Sequence, residues 1–200
     1  MKRINVRITF LEEVLGTASA NEELHATYIA SKAPDAKSKE EEVEALGVAE
    51  VVEQGMTVFS RAEVDGKVSP ILWDYQIKGF FKDSAGMLRR VDGTESKKLT
   101  AYKKVIDGLV FVEPRKIPIQ LSGLVGECQR PLRAQTPQGE RIALAHSETA
   151  PEGSYIDLTI VLLDPKLEGV VKEWLDYGEL RGLGQWRNSG KGRFTYEILS

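Results

Sequence analysis

The residues best suited to chemistry lie in one glycine-rich basic run near the C-terminal end of the sequence. Between positions 181 and 194 four glycines alternate with four basic residues, and no acid interrupts them. Glycine permits positive φ and a close approach of the backbone to a phosphate, and Arg and Lys supply positive charge to an anion. We therefore predict a phosphate-binding loop, whose candidate residues are Arg181, Gly182, Gly184, Trp186, Arg187, Gly190, Lys191, Gly192 and Arg193.

Other interpretations of this run stay open at the level of sequence. Trp186 suits stacking on a base, but it equally suits packing on its neighbours. The glycines are also compatible with a turn that only packs the end of a helix against a sheet.

A second candidate anion site lies at Lys78-Gly79, where we predict a turn from a strand into a helix that begins near Gly79. Such a turn combines free amide groups with the positive end of the helix dipole, so Lys78 and Lys82 join the candidate nucleic-acid-binding residues. The alternative is that both lysines are ordinary solvated residues of a helix.

Composition limits the other possibilities. The formal charge of −3 and the pI of about 5.6 argue against a protein that coats nucleic acid by bulk charge, so a polyanion site must be a local patch. Cys128 is the single cysteine, and His25 and His146 are the two histidines. No disulfide framework, zinc spacing or catalytic motif follows from them. We expect no metal, no cofactor and no membrane segment, a cytoplasmic location, and binding rather than catalysis.

Hydrophobic periodicity predicts an α+β domain. Strands are expected at 3–10, 57–64, 68–75, 110–112, 117–121, 155–163 and 194–199, with helices from about 79 and from Asp164-Pro165. Residues 17–55 are polar and acidic and indicate a helical insertion, and residues 127–148 indicate a protruding β-hairpin that carries Arg130, Arg133 and Arg141.

This order favours a single domain over residues 1–200 with a ferredoxin-like (RRM-like) antiparallel sheet. In such a fold the sheet face opposite the helices is open to a ligand. The apolar stripe Leu167, Val170, Val171, Trp174 and Leu175 is expected to pack the second helix on the sheet, and Gly178 is expected to end that helix.

Three segments resemble the RAMP superfamily, the repeat-associated proteins of CRISPR systems, and in particular their crRNA-binding backbone subunits. Residues 167–199 are similar to the family's final helix, glycine-rich loop and last strand. Residues 77–89 resemble the segment where a strand enters a helix through a Gly-Ser-Ser-Leu-Lys-Gly-type motif. The opening strand that runs into Leu15-Gly16-Thr17 is the third.

The resemblance implies a protein that holds the phosphates of single-stranded, crRNA-like RNA with its basic loop. It also implies an antiviral-defence assembly of several subunits, either copies of this chain or other RAMP proteins. Two alternatives stay open. One is a stand-alone or virus-borne oligomeric relative that captures a nucleotide signal or blocks a host defence complex. The other is a RAMP endoribonuclease, for which His25 is the loosely corresponding histidine.

Overall fold

The structure, a computed structural model, describes residues 1–19, 56–64, 66–136 and 139–199. Along the chain the described elements are β1 (Lys2–Phe10), β2 (Val14–Leu15), β3 (Ala18–Ser19), β4 (Thr57–Val58), β5 (Ser60–Val64), β6 (Lys67–Trp73), α1 (Asp74–Leu88), α2 (Glu95–Lys98), α3 (Tyr102–Leu109), β7 (Val110–Glu113), β8 (Lys116–Pro118), β9 (Gly126–Thr136), β10 (Gly139–Ala150), β11 (Tyr155–Leu162), α4 (Glu168–Asp176), α5 (Gly178–Arg181) and β12 (Phe194–Leu199). Short 3-10 turns at Pro165–Leu167 and Arg187–Ser189 complete this set.

An antiparallel sheet of four strands lies at the centre, in the order β12-β1-β11-β7. When these four strands are numbered by their order along the chain, their order across the sheet is 4-1-3-2. Helix α1 lies between the first two strands in sequence, and α4 lies between the last two. This is the ferredoxin-like arrangement, and the predicted α+β fold is confirmed.

Alternation of side chains along the central strands separates a core face from an open face. Ile4, Val6, Ile8 and Phe10 of β1 are buried beneath the helices, whereas the intervening polar residues lie on the other face. The apolar stripe predicted for α4 is also buried, and the ring of Trp174 lies 5.5 Å from that of Phe81 on α1. Each such side chain contributes about 1.5–3 kcal/mol by leaving water.

Helix α1 begins earlier than the sequence suggests, and this corrects the second candidate site. The helix starts at Asp74, directly after Trp73, whose backbone N–H donates to Oε1 of Gln76 at 2.7 Å. That bond satisfies an amide at the helix start and ends the preceding strand at Trp73 rather than at 75. Gly79 consequently lies inside the helix, and the turn predicted at Lys78-Gly79 is wrong.

The C-terminal helix also differs from its prediction. Asp164 accepts a hydrogen bond from the backbone N–H of Lys166 at 3.0 Å, as expected of a capping acid before Pro165. At the far end, however, α4 stops at Asp176, and Gly178 begins the additional short helix α5. The glycine is required there because a Cβ would lie 2.2 Å from the ring of Phe194.

Two further sheets, one of five strands and one of three, accompany the central one. Strands β9 and β10 form the predicted hairpin, and the base of β10 pairs with β2 and with β4. Strands β5, β6 and β8 form a three-stranded antiparallel sheet. Of the predicted insertion 17–55, residues 20–55 lie outside the described part, as do the side chains of Arg133 and Arg141. Among the helices that the structure describes, none has the length and apolarity needed to cross a membrane.

Candidate nucleic-acid interface

The glycine-rich loop connects α5 to β12 and is fixed to the start of the chain. Its two arms meet through a hydrogen bond from Leu183 N to Gly192 O at 2.8 Å. Gly192 N donates to Glu13 O at 2.9 Å, and Leu11 N donates to Arg193 O at 2.7 Å. The loop is therefore part of the folded body rather than an independent flap.

Two of the candidate glycines owe their role to packing within this loop. Gly182 and Gly192 have φ of 76° and 68°. A Cβ on Gly182 would lie 2.5 Å from Lys191 O, and one on Gly192 would lie 2.0 Å from Leu183 O. At these two positions, close packing of the backbone is sufficient to explain why glycine is required, and no ligand needs to be invoked.

Asp83 of α1 gathers two of the predicted arginines. Its Oδ2 accepts a hydrogen bond of 2.8 Å from Arg181 Nε and another of 2.8 Å from Arg187 Nη1. Arg181 Nη1 also donates to Asn188 Oδ1 at 2.6 Å. These side chains are mostly buried, with 22%, 22% and 29% exposure for Arg181, Asp83 and Arg187. The hydrogen bond to Asp83 raises the pKa of Arg181, so this guanidinium stays charged.

Lys191 is also paired inside the molecule. Its Nζ forms a salt bridge with Oε1 of Glu13, which follows the central strand β1. Burial of Glu13 works to raise its pKa, but hydrogen bonds from Lys191 and Thr149 outweigh burial and hold the pKa below its ordinary value. Arg193 lies on the other arm of the loop, where its Nε donates to Glu179 O at 2.6 Å.

Trp186 joins the loop to the β-hairpin. The guanidinium carbon of Arg130, on β9, lies 4.8 Å from the centroid of the Trp186 ring, which is cation–π geometry. Arg130 also donates from Nη1 to Oγ of Ser189. Trp186 has φ of 55°, an unfavourable conformation for a bulky residue. Strain of this kind concentrates at functional sites.

A shallow cleft of about 310 Å³ opens where these residues meet. Its lining comprises Arg181, Gly184, Gln185, Trp186, Arg187 and Asn188. A guanidinium carries five N–H donors, and the bonds described above use two of them on Arg181 and one on Arg187. Both arginines can therefore donate to phosphate oxygens while they remain bonded to Asp83.

Lys78 and Lys82 do not contact the loop, although α1 also carries Asp83. Lys82 Nζ forms an ion pair of 2.6 Å with Asp107 of α3, and Lys78 Nζ donates to Asp107 O at 3.2 Å. The hydrogen bond from Lys82 holds the pKa of Asp107 below its ordinary value. The two lysines thus belong to the α1–α3 contact, whereas four of the nine predicted loop residues line the cleft: Arg181, Gly184, Trp186 and Arg187.

The open face of the central sheet is another predicted ligand surface, but acids neutralise its arginines. Arg7 donates from Nε and Nη2 to the two carboxylate oxygens of Asp157, each at 2.8 Å. Arg3 also forms an ion pair, in which its Nη2 contacts Oε2 of Glu113. Because both arginines of β1 are held by carboxylates on β11 and β7, this face is a poor platform for phosphates.

Neither histidine forms a catalytic or metal-binding arrangement that the described residues reveal. His146 Nδ1 lies 2.8 Å from Glu127 Oε1 across the hairpin, and His25 lies outside the described part. The interaction with His146 lowers the pKa of Glu127. No group of three metal-ligating side chains occurs in the part of the chain that was described.

Sequence reasoning missed the acids that organise the site. Both acids lie far from the glycine-rich run in sequence: Glu13 stands in no motif, and Asp83 lies in the segment 77–89 but was not predicted as a partner of the loop arginines. Arg130 was predicted only as a charged residue of the hairpin. Its contact with Trp186 could not be predicted, because no local sequence pattern links the two residues.

Neither a protein-family model nor a curated protein sequence matches this chain. Two solved structures share its fold. A chain of a Type IV-B CRISPR complex aligns with a TM-score of 0.50 and 13% identity, over 100% of this chain and 91% of that chain. A chain of the Type III-B Cmr-beta complex bound to cognate target RNA aligns with a TM-score of 0.50 and 12% identity, over 100% of this chain and 60% of that chain. The predicted likeness to CRISPR-associated proteins is thus confirmed for the fold, and membership of the RAMP superfamily stays a prediction.

Proposed function

We propose that this chain binds single-stranded RNA through its glycine-rich loop, as a RAMP-type subunit of a multi-subunit CRISPR-type assembly. One observation carries the proposal: Arg181 of α5 and Trp186 and Arg187 of the loop line one open cleft, and Arg130 of the hairpin lies against the Trp186 ring. Arginine and exposed aromatic rings are the side chains that hold phosphates and bases of single strands.

The electrostatics of this cluster suit a phosphate. Arg181 and Arg187 share the carboxylate of Asp83, and Arg130 lies on the adjoining Trp186 ring, so these three cations and one acid keep a formal excess of positive charge. Asp83 also fixes the orientation of two guanidinium groups before any ligand arrives. Fixed donors lose little side-chain entropy on binding, which favours affinity.

The comparison adds support of a second kind. Both solved structures described above are CRISPR complexes, and one of them is bound to target RNA. A chain of this fold that presents a basic loop next to a β-hairpin is consistent with a role as an RNA-holding subunit among other subunits.

A nucleotide or short oligonucleotide signal is the second candidate ligand. The cleft is small, about 310 Å³, and a compact nucleotide needs few cations. This alternative predicts a shallow dependence of binding on salt concentration, whereas a long RNA strand predicts a steep one.

The test compares two double variants by fluorescence anisotropy with a labelled oligouridine RNA of about 20 nucleotides. Arg187→Ala/Lys191→Ala should weaken binding about tenfold and lower the slope of log K against log salt by about 1.4. Lys103→Ala/Lys104→Ala removes the same charge from exposed positions on α3 and should change neither value.

Thermal denaturation of both variants checks that the fold is retained, because Arg187 and Lys191 also form internal bonds. Unchanged RNA binding by a folded Arg187→Ala/Lys191→Ala variant would exclude the loop as the site. Absorbance at 260 and 280 nm, together with light scattering of the purified protein, shows whether RNA and further subunits accompany it.

A further inference from the structure

A second cluster of aromatic and basic side chains lies on the three-stranded sheet, away from the residues of the loop. It consists of Trp73 and Tyr75, at the junction of β6 and α1, and of Arg115 and Lys116, at the start of β8. We call these four residues the aromatic patch. Strand pairing places Lys116 directly opposite Trp73, and Asp74 N donates to Arg115 O at 3.0 Å, so the two segments are held side by side.

The rings of the aromatic patch are held in a defined arrangement. Trp73 and Tyr75 are nearly parallel, with 16° between their planes and 6.1 Å between their centroids. Trp73 Nε1 donates to Ser60 Oγ at 3.0 Å, which fixes the indole ring. Tyr75 is 59% exposed, so the outer ring of the pair is available to a further planar group.

The charges of the aromatic patch differ from those of the loop. Arg115 Cζ and Lys116 Nζ each lie 6.0 Å from the centroid of the Trp73 ring, and both side chains are exposed. Within the part of the chain that the structure describes, neither cation forms an ion pair. Asp74 is the acid of this stretch, and two cations stand against it, so positive charge remains in excess.

We propose that the aromatic patch is a second contact surface for single-stranded RNA, on which a base stacks against Tyr75 while Arg115 and Lys116 bind adjacent phosphates. An exposed ring beside cations to which the described residues offer no ion pair matches the stacking platforms and basic grooves that hold single strands. This inference rests on the proposed function, because it supplies that function with a second point of attachment on the same molecule.

The patch is tested with the same labelled oligouridine RNA of about 20 nucleotides. Tyr75→Ala should weaken binding about tenfold, which is typical for the loss of one base–aromatic stack, whereas Tyr75→Phe retains the ring and should bind like the unmodified protein. Arg115→Ala/Lys116→Ala should lower the salt slope by about 1.4. All of these side chains are exposed, so the variants are expected to fold, and Lys103→Ala/Lys104→Ala is again the charge control.

The outcomes separate this inference from the proposed function. If Arg187→Ala/Lys191→Ala binds weakly while Tyr75→Ala and Arg115→Ala/Lys116→Ala bind normally, the aromatic patch is not a contact surface and the loop site stands. If only the patch variants bind weakly, the patch stands and the loop site falls. If the unmodified protein binds no RNA, both proposals fail.

Discussion

At the scale of single residues, each cation of the glycine-rich loop meets an acceptor from another part of the chain. Asp83 of α1 binds Arg181 and Arg187, Glu13 binds Lys191, and the Arg130 side chain covers Trp186. The loop charges are consequently held in position and partly neutralised. Under the proposed function, an RNA phosphate would gain from this fixed geometry, but it would meet less positive charge than the sequence of the loop suggests.

The pair of Glu13 and Lys191 predicts a pH dependence. The pKa of Glu13 is held below its ordinary value of 4.5, so the pair stabilises the fold above that value. This stability is lost as the pH falls through the folded pKa, below 4.5. In Lys191→Ala the burial of Glu13 remains while its cation is gone, and the pKa should rise.

Carbon-detected NMR titration of the Glu13 carboxyl group measures this change directly. Lys98→Ala removes an exposed ion pair with Glu95 and should leave the Glu13 titration as it was. If Glu13 titrates at the same pH in Lys191→Ala and in the unmodified protein, Lys191 does not set its pKa.

Sequence reasoning identified the loop residues at this scale but not their partners. Four basic residues among four glycines form a local pattern, which a reader of the sequence can see. The bond between Asp83 and Arg181 joins residues 98 positions apart, and the bond between Glu13 and Lys191 joins residues 178 positions apart. Only the packing of α1 and β1 against the loop brings these acids to it.

At the scale of elements, α1 serves the core, the loop and a neighbouring helix at once. It buries Ile77, Phe80 and Phe81 against the sheet, while Asp83 binds the loop arginines and Lys82 binds α3. The strand period of two and the helical spacing of apolar residues were sufficient to predict most elements. The start of α1 was missed because Gly79 suggested a boundary, whereas Gln76 caps the helix already at Trp73.

Substitution of Gly79 tests the corrected helix boundary. Gly79→Ala should stabilise the protein by about 0.5–1 kcal/mol, because a Cβ there meets no atom within 4 Å and alanine favours helix interiors. Gly86→Ala, on the same helix, is the comparison. Its Cβ would lie 3.2 Å from Tyr102 Oη, so its gain should be smaller. Urea denaturation measures both, and a destabilised Gly79→Ala would argue for a turn at this position.

The glycines of the loop predict a graded response. Gly192→Ala should cost more than about 3 kcal/mol, because it combines a positive φ with a Cβ that overlaps the carbonyl of Leu183. Gly190→Ala has the same kind of φ but meets only Arg193 Cδ at 3.8 Å, and about 1 kcal/mol is expected. Urea denaturation of both variants is the measurement. Equal losses would show that backbone strain alone, rather than the close contact of the two arms, decides the effect.

At the scale of the whole molecule, the distribution of charge matters more than its sum. The net charge of −3 argues against a protein that binds nucleic acid by its overall charge. The structure is consistent with this, because the arginines of the open sheet face are paired with acids. Local excesses of positive charge lie at the cleft and at the aromatic patch. The first was predicted from a local sequence pattern. The second was not, because β8 must pair with β6 before Lys116 reaches Trp73.

The ferredoxin-like arrangement followed from the order of elements, which is a property that a sequence displays. The position of the β9–β10 hairpin beside the loop could not be predicted from the order of elements. The length and turn type of a hairpin do not determine which segment packs against its base. Contact between Arg130 and Trp186 depends on that docking. The fold was therefore largely predictable. Of the site, only the residues of the glycine-rich loop were predictable, and their distant partners were not.

The pairing of β1 with β12 has a consequence for the order of folding. Phe10 lies opposite Phe194, so this pairing closes almost the whole described chain into one loop. Such distant contacts form late and slowly. The hydrogen bonds that fix the glycine-rich loop, from Leu11 to Arg193 and from Gly192 to Glu13, depend on the same closure. A partly folded chain therefore lacks the loop surface, so the RNA binding proposed for the loop requires that the pairing of β1 with β12 has formed first.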